Sequence, residues 1–269
     1  MTNGTDILLI VNGDAVAALT SNDFNCEVDI KDTTTKDSAG WRECKPLKKS
    51  FNATANGFIK GVGTNIIRSS ENLANTTNWN LGTNTIVSNY AVDAFGKKTA
   101  TLINFTSAHI VQSIDYVSLD DYVTFSLYAK GSGTIVIKVQ NDDYNGLQTI
   151  TLTSTLTRYS VTFQSMDGVN VSVEIYKGTA TSAVVSNLMV NIGQTALPYQ
   201  RSGITYDELY DLEQAGTKIT MVISDQISGD KQYSGSGFIK SLKQTDPVED
   251  ISTFSCSIEG TAQLTKSTI

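Results

Sequence analysis

The chain has 269 residues, of which 40% are hydrophobic, and a formal net charge of −7 at pH 7. This apolar share is too high for a disordered chain, and the length favours two domains. The acidic balance argues against a surface that grips nucleic acid, because phosphate binding needs clustered Lys and Arg. No apolar run is long enough for a membrane-spanning helix, and the N-terminus carries no visible secretory signal. With only three prolines and many Thr, Ser, Val and Gly residues, the composition favours strands.

The first segment, residues 1–65, has the pattern of a series of strands. A short apolar run at Asp6–Gly13 ends in Asn-Gly, which is a strong turn signal. Apolar and charged residues alternate from Cys26 to Lys31, which predicts a half-exposed strand. The polar stretch Lys31–Lys45 predicts a long loop. The alternation then resumes and ends in the sequence Gly-Phe-Ile-Lys at Gly57–Lys60.

The middle segment, residues 66–201, consists of strand-like runs separated by turns such as KGSG and DDYNG. Their number and spacing are typical of a β-sandwich or jelly roll. We therefore predict an inserted domain at 66–201 that interrupts a host domain made of residues 1–65 and 202–269. Such an insertion requires the two ends of the inserted segment to lie close together.

The last segment, residues 202–269, opens with the clearest helix signal in the chain. Thr205 is a good N-cap, Glu208 completes a capping box, and Gly216 supplies the C-terminal stop. Strands follow, and one of them repeats Gly-Phe-Ile-Lys at Gly237–Lys240. We predict that both copies of this sequence lie in one sheet system of the host domain.

Three cysteines, Cys26, Cys44 and Cys256, are widely spaced and form neither a CxxC pair nor a zinc-binding spacing. We expect reduced thiols, as in a protein that folds in a cytoplasm. A disulfide between Cys26 and Cys44 across the intervening loop stays open at this point.

Residues that could do chemistry are sparse. His109 is the only histidine and lies in a strand-like run, so we expect a structural role for it rather than that of a general base. Asp142 and Asp143 lack the pattern of a calcium-binding loop and are interpreted as a solvated turn. Because no nucleophile and base can be paired, we predict that the chain is not an enzyme and has no catalytic residues, cofactor or metal site.

Aromatic side chains in the middle segment give a candidate glycan platform, because flat rings stack on sugar rings. The platform residues are Trp79, Tyr90, Phe95 and Tyr144. A role for several of these rings in the hydrophobic core is the alternative.

A second candidate site lies in the polar loop of the first segment, where an aromatic residue has charged neighbours. The residues of this predicted inter-subunit contact are Trp41, Arg42, Glu43 and Lys45. Trp41 is either an anchor at that contact or a lid on the host core.

The order and spacing of several stretches in the two outer segments resemble those of phage tail tube (major tail) proteins. These stretches are Thr35–Cys44, Leu47–Ile59, Ile204–Ser224 and Gly229–Leu264. The resemblance implies a tail-tube β-sandwich or split barrel with one flanking α-helix. It also implies a virion tail protein that is assembled in the host bacterial cytoplasm, and hexameric rings that stack into a tube. DNA would transit this tube without specific binding, and the partners would be the tape measure and other tail proteins.

The middle segment resembles the carbohydrate-binding-module-like jelly rolls found on many phage structural proteins. The stretches that carry this resemblance are Ser69–Asn80, Asp93–Ile103, His109–Ile114, Tyr122–Val139 and Ser186–Gly203. It implies an external decoration domain with host surface glycans as candidate ligands. A structural calcium ion in the inserted domain stays open. The alternative function for the whole chain is a soluble carbohydrate-binding or adhesin protein.

Overall fold

The computed structural model describes residues 7–16, 19–38, 41–58, 65–106, 109–114, 117, 120–141, 145–165, 171–247 and 252–269. The fold is mainly β, as predicted, with one helix among these residues. The elements before residue 66 are β1 Leu8–Val11, β2 Asp14–Ala15, β3 Leu19–Asp32 and β4 Cys44–Phe58. Those of the middle segment are β5 Thr85–Ala91, β6 Ala100–Asn104, β7 His109–Ile114, β8 Tyr122–Gly131, β9 Thr134–Gln140, β10 Asn145–Thr151, β11 Thr157–Gln164, β12 Val171–Lys177 and β13 Ser182–Ile192. The last elements are α1 Tyr206–Gln214, β14 Ile219–Ser224, β15 Lys231–Thr245 and β16 Thr253–Thr268.

Strands from both ends of the chain share one antiparallel sheet of seven strands, in the order β2-β1-β14-β15-β16-β4-β3. One side of this sheet buries a core that includes Leu9, Ala55, Met221 and Ile258. The sheet curls toward closure, because Asn22 Nδ2 in β3 donates to the carbonyl of Ile7 before β1, at 2.9 Å. The edge strand β3 therefore contacts the residue before β1, which is the second strand from the opposite edge.

The helix α1 begins and ends where the sequence predicts. The Thr205 hydroxyl accepts a hydrogen bond from the Glu208 amide, and the Glu208 carboxylate accepts one from the Thr205 amide at 2.9 Å. This capping box satisfies amide groups that would otherwise lack partners at the helix N-terminus. Leu209 is fully buried and packs the helix against the core of the seven-stranded sheet.

The middle segment folds as a sandwich of two sheets, with strand orders β10-β9-β12-β7 and β11-β8-β13-β6-β5. Alternate residues of the strands point inward and form one large apolar core between the sheets. In β9, for example, Ile135, Ile137 and Val139 are fully buried. The intervening residues of β9 therefore point away from the core.

The two ends of the middle segment are joined by the side chain of Asn65. Its Nδ2 donates to the carbonyls of Leu188 and Gln200, at 3.0 and 2.8 Å. Its Oδ1 accepts from the amides of Ile67 and Val190, at 3.3 and 3.0 Å. Residues around 65 and around 200 therefore lie side by side, as an inserted domain requires.

A buried polar clamp stands between the sandwich and the seven-stranded sheet. Arg201 forms a 2.7 Å ion pair with Glu71, and the Tyr199 hydroxyl donates to the same carboxylate at 2.8 Å. Arg201 also donates to the Gln226 side-chain oxygen at 2.6 Å. Burial raises the pKa of Glu71 above its ordinary value, although the charge of Arg201 opposes this shift. The clamp fixes the sandwich to residues that follow β14.

Both Gly-Phe-Ile-Lys sequences reach the seven-stranded sheet, where each pairs with β16. Gly57 lies opposite Phe254, and Gly237 lies opposite Gly260. Ile239 packs in the core, while Ile59 and Lys60 lie outside the described residues. The Lys240 ammonium forms a 2.7 Å ion pair with Glu259 on the adjacent strand.

The arm, residues 26–50, is the part of the β3–β4 hairpin that extends beyond the sheet. The last pair between β16 and β4 is Glu259 with Asn52, so no third strand accompanies the arm. Apart from Ser38, its described residues are exposed. Cys26 lies opposite Phe51 and Cys44 opposite Asp32, about six positions apart along the ribbon, so the two exposed thiols cannot form a disulfide with each other.

Candidate functional site: the outward face of the four-stranded sheet

The structure separates the four residues of the predicted glycan platform. Trp79 is only 1% exposed and packs in the sandwich core, with its Nε1 donating to the carbonyl of Ser69 at 3.3 Å. This corrects the platform prediction for Trp79, because a ring inside the core offers no free face. Tyr144, like Asp142 and Asp143, lies outside the described residues.

Tyr90 and Phe95 are exposed. Tyr90 lies in β5 of the five-stranded sheet, and Phe95 lies in the loop after β5. The Phe95 ring stacks on Tyr199 at 5.6 Å and meets Tyr128 edge-on at 5.9 Å. Arg158 lies over the Tyr128 ring at 5.9 Å. Phe95 is thus engaged with rings near the clamp rather than with Tyr90.

The residues of the predicted inter-subunit contact lie at the tip of the arm and are exposed. Trp41 is 79% exposed, which excludes its role as a lid on the core of its own chain. Arg42 forms a 3.2 Å ion pair with Asp32, and Lys45 lies opposite Lys31. The predicted loop is shorter than expected, because β3 continues to Asp32 and β4 begins at Cys44.

The four-strand face is the outward side of β7, β9, β10 and β12. Antiparallel registers align its side chains in three rows across the strands. The first row is Thr149, Val136, Tyr176 and His109; the second is Leu147, Lys138, Glu174 and Val111; the third is Asn145, Gln140, Ser172 and Ser113. Rings, charges and amides therefore lie side by side on one surface of the sandwich.

Glu174 is the unusual residue of this face, because it is only 4% exposed although it points away from the core. One carboxylate oxygen, Oε1, accepts hydrogen bonds from Gln140 Nε2 at 2.5 Å and from Ser172 Oγ at 3.3 Å. The other oxygen, Oε2, is buried without a hydrogen-bond partner. An unsatisfied buried acceptor is costly, so this oxygen favours the arrival of a donor.

Two rings form a wall beside Glu174. The rings of His109 and Tyr176 are 5.2 Å apart and tilted by 47°. The Lys138 ammonium lies over the Tyr176 ring at 5.7 Å. Burial, a side-chain hydrogen bond to Glu174 and the charge of that carboxylate raise the pKa of Tyr176 to about 12, so its hydroxyl stays protonated.

The arrangement offers a ring surface, a carboxylate acceptor, an ammonium donor and a row of amide and hydroxyl groups. Such a set binds a polar ligand that has flat apolar patches and many hydroxyl groups. His109 was expected to be a satisfied structural residue, yet it is exposed on this face. The alternation of β12, in which Ser172, Glu174 and Tyr176 share a side, was the sequence signal for the site.

Among the described residues, no His, Cys, Asp and Glu side chains form a group of three or more that could hold a metal ion. In that same part of the chain, no helix has the length and apolar character needed to cross a membrane.

Comparisons with known proteins give matches in structure only. No family model matches the sequence, and no curated protein matches it significantly. One similar solved structure is a carbohydrate-binding module described as CBM4, with a TM-score of 0.32 and 21% identity, covering 49% of this chain and 99% of that chain. Another is the CBM22-1 xylan-binding domain from Paenibacillus barcinonensis Xyn10C, with a TM-score of 0.35 and 15% identity, covering 45% and 89%.

A third similar structure is the enzymatically active domain of bacteriophage CBA120 tailspike protein 4, with a TM-score of 0.40 and 12% identity. The match covers 48% of this chain and only 22% of that chain, so the likeness spans about a fifth of the tailspike structure. At these identities the likeness concerns the fold alone. None of the comparisons supports the resemblance to phage tail tube proteins.

Proposed function

We propose that the chain is a glycan-binding protein and that its sandwich binds sugars on the four-strand face. The observation that carries the proposal is the buried carboxylate of Glu174, whose unpaired Oε2 lies beside the ring wall of His109 and Tyr176. A sugar ring would stack on the Tyr176 ring through its apolar face. One of its hydroxyl groups would donate to Glu174 Oε2 and satisfy it.

The neighbouring rows would fix the orientation of the sugar. The Lys138 ammonium is held over Tyr176 and would donate to a second sugar oxygen. Leu147 is exposed at the end of the row that contains Lys138, and it would contact the next sugar unit of an oligosaccharide. The proposed role is binding without catalysis, and it needs no cofactor.

Titration calorimetry of the full chain with soluble polysaccharides tests this proposal, and xylan and β-glucan are reasonable first probes. Replacing Tyr176 with Ala should weaken binding about ten-fold, because a stacked ring contributes up to about 1.5 kcal/mol. Tyr90→Ala is the matched control, since Tyr90 is exposed on the other sheet of the sandwich. Equal losses in the two variants would contradict the assignment to this face.

A second candidate function, self-assembly, is favoured by the arm. An isolated two-stranded ribbon is marginal in water, and this one exposes Val28, Ile30, Trp41 and Leu47 by 45%, 63%, 79% and 56%. Four large exposed apolar side chains on one short ribbon favour burial against a partner. We propose a second copy of the chain as that partner. The resulting rings would stack into a virion tail tube through which DNA passes, with the sandwich on the outside.

Negative-stain microscopy and light scattering of the purified protein test this second proposal. Rings or tubes should form, and Trp41→Ala should weaken assembly without lowering the melting temperature. Tyr210→Ala, at an exposed position of α1, is the control and should leave assembly intact. Dispersed monomers at high protein concentration would contradict assembly and leave the glycan-binding proposal standing.

A further inference from the structure

The four-strand face carries groups of both charge signs, and their balance decides which sugars it accepts. Lys138 is cationic and Glu174 is anionic, and the two residues lie opposite each other on adjacent strands. Acidic sugars would be attracted by Lys138 and repelled by Glu174. The outcome depends on which charge is least screened by water.

Of these two charges, that of Glu174 is the less screened by water. Glu174 is 4% exposed, whereas Lys138 is half-buried. The Lys138 ammonium is directed over the Tyr176 ring, and among the described residues Glu174 takes part in no ion pair. A ligand that covers the face displaces water from above Glu174 and thereby strengthens any interaction with its charge.

We infer that Glu174 makes this face selective for uncharged sugars with a free hydroxyl donor and excludes uronic and sialic acids. The inference rests on the proposed glycan-binding function and goes beyond it by naming the class of sugar. A hydroxyl group donates to Oε2 and satisfies an orphaned acceptor. A sugar carboxylate has no proton to donate at neutral pH and would bring a second anion next to a buried one.

Glu174 acts as a specificity-determining residue, and its neighbours occupy one of its two oxygens. Gln140 and Ser172 both donate to Oε1. The same bonds hold the side chain in one orientation. Oε2 is thereby left as the acceptor of this carboxylate that a ligand would use once it displaces the side chains that now cover this oxygen.

The test uses the full-length protein and pairs of glycans that differ only in charge. Each pair is a neutral oligosaccharide and the same oligosaccharide oxidised at C6 to the uronic acid, and a panel of such pairs covers several linkages. The native protein should bind the neutral member of at least one pair at least ten-fold more tightly than its acidic counterpart. Calorimetry or a glycan array reports both affinities.

Glu174→Gln removes the charge while keeping the shape, so the preference within the pair should fall below about three-fold. Glu213→Gln, a carboxylate change on exposed α1, is the matched control and should keep the native preference. Lys138→Met removes the cation and leaves the carboxylate in place. The Lys138→Met variant should keep the preference for the neutral sugar or increase it. This measurement tests the inference independently if Glu174→Gln fails to fold.

Three outcomes are informative. The pattern above supports the inference. Equal or tighter binding of the acidic sugars by the native protein overturns the inference and leaves the glycan-binding proposal intact. If the native protein binds neither member of any pair, the proposed function fails, and the selectivity of this face fails with it.

Discussion

The arm and the sandwich are built from similar strand sequences and end up in opposite environments. Both alternate apolar and polar residues, but in the sandwich a second sheet covers the apolar side, whereas no described residue of the same chain covers the arm. Ile135 is fully buried in β9, whereas Ile30 in β3 is 63% exposed. Alternation therefore identifies the side chains that share a face, and the covering of that face depends on the rest of the fold.

Thiol reactivity should show the largest difference between the arm and the packed parts. Burial raises the pKa of the Cys256 thiol to about 12, so at pH 8 only about one molecule in ten thousand carries the reactive thiolate. Cys26 and Cys44 on the arm are exposed. A colorimetric thiol reagent should modify two thiols at once and the third about a thousand-fold more slowly or only on unfolding. Three equally fast thiols would contradict the packing around Cys256.

The two tryptophans give a direct comparison of stability. Trp79→Ala should lower the free energy of unfolding by about 3–5 kcal/mol, because it empties part of the sandwich core. Trp41→Ala at the arm tip should change the free energy of unfolding of the monomer by less than about 0.5 kcal/mol, because the exposed Trp41 side chain loses little packing when it is removed. Urea unfolding measured at low protein concentration checks both. A large loss for Trp41 would mean that the arm folds back onto its own chain.

Two arginine ion pairs extend the comparison to charged groups. Arg201→Ala should cost about 2–3 kcal/mol, because it leaves the buried Glu71 carboxylate without its counter-ion. Arg42→Ala on the arm should cost less than about 0.5 kcal/mol, because its pair with Asp32 is exposed. The double variant Arg201→Ala with Glu71→Gln should recover part of the lost stability, measured as the melting temperature. No recovery would mean that Arg201 acts through packing alone.

The smallest effect concerns backbone strain at the irregular pairing between β15 and β16. Ala262 in β16 has a φ of +68°, in the left-handed region that glycine adopts freely and alanine adopts only with strain. Ala262→Gly should therefore stabilise the chain by about 0.5–1 kcal/mol. Ala215→Gly at the right-handed C-cap of α1 is the control and should destabilise slightly. A loss of stability in Ala262→Gly would remove strain as the explanation of this geometry.

Much of the fold could be predicted from local sequence signals. The helix was marked at both ends by Thr205, Glu208 and Gly216, because capping needs only neighbours in sequence. The strand-rich middle segment was evident from its spacing. The length of the arm was not predicted, because the polar stretch from Lys31 to Lys45 contains no local signal that a partner strand continues beside it.

The candidate site was harder to predict than the fold. Trp79 and Phe95 were chosen for their ring size, but sequence alone does not separate a ring in the core from a ring on a surface. Glu174 could not be recognised from the sequence, because its environment is made by neighbouring strands: Lys138 and Val111 lie opposite it, and Gln140 donates to it. These contacts depend on register, which becomes known only when the pairing of the strands is known.

The four hydrogen bonds of Asn65 have a consequence for protein engineering. A single amide side chain joins the entry and exit of the middle segment, so its two ends lie close together. We therefore predict that the segment can be exchanged as a unit. Exchanging residues 66–201 for another compact domain with adjacent termini requires no stretching of the flanking chain. Any such replacement would be displayed where the sandwich now stands, and if the chain assembles, at a regular spacing along the assembly.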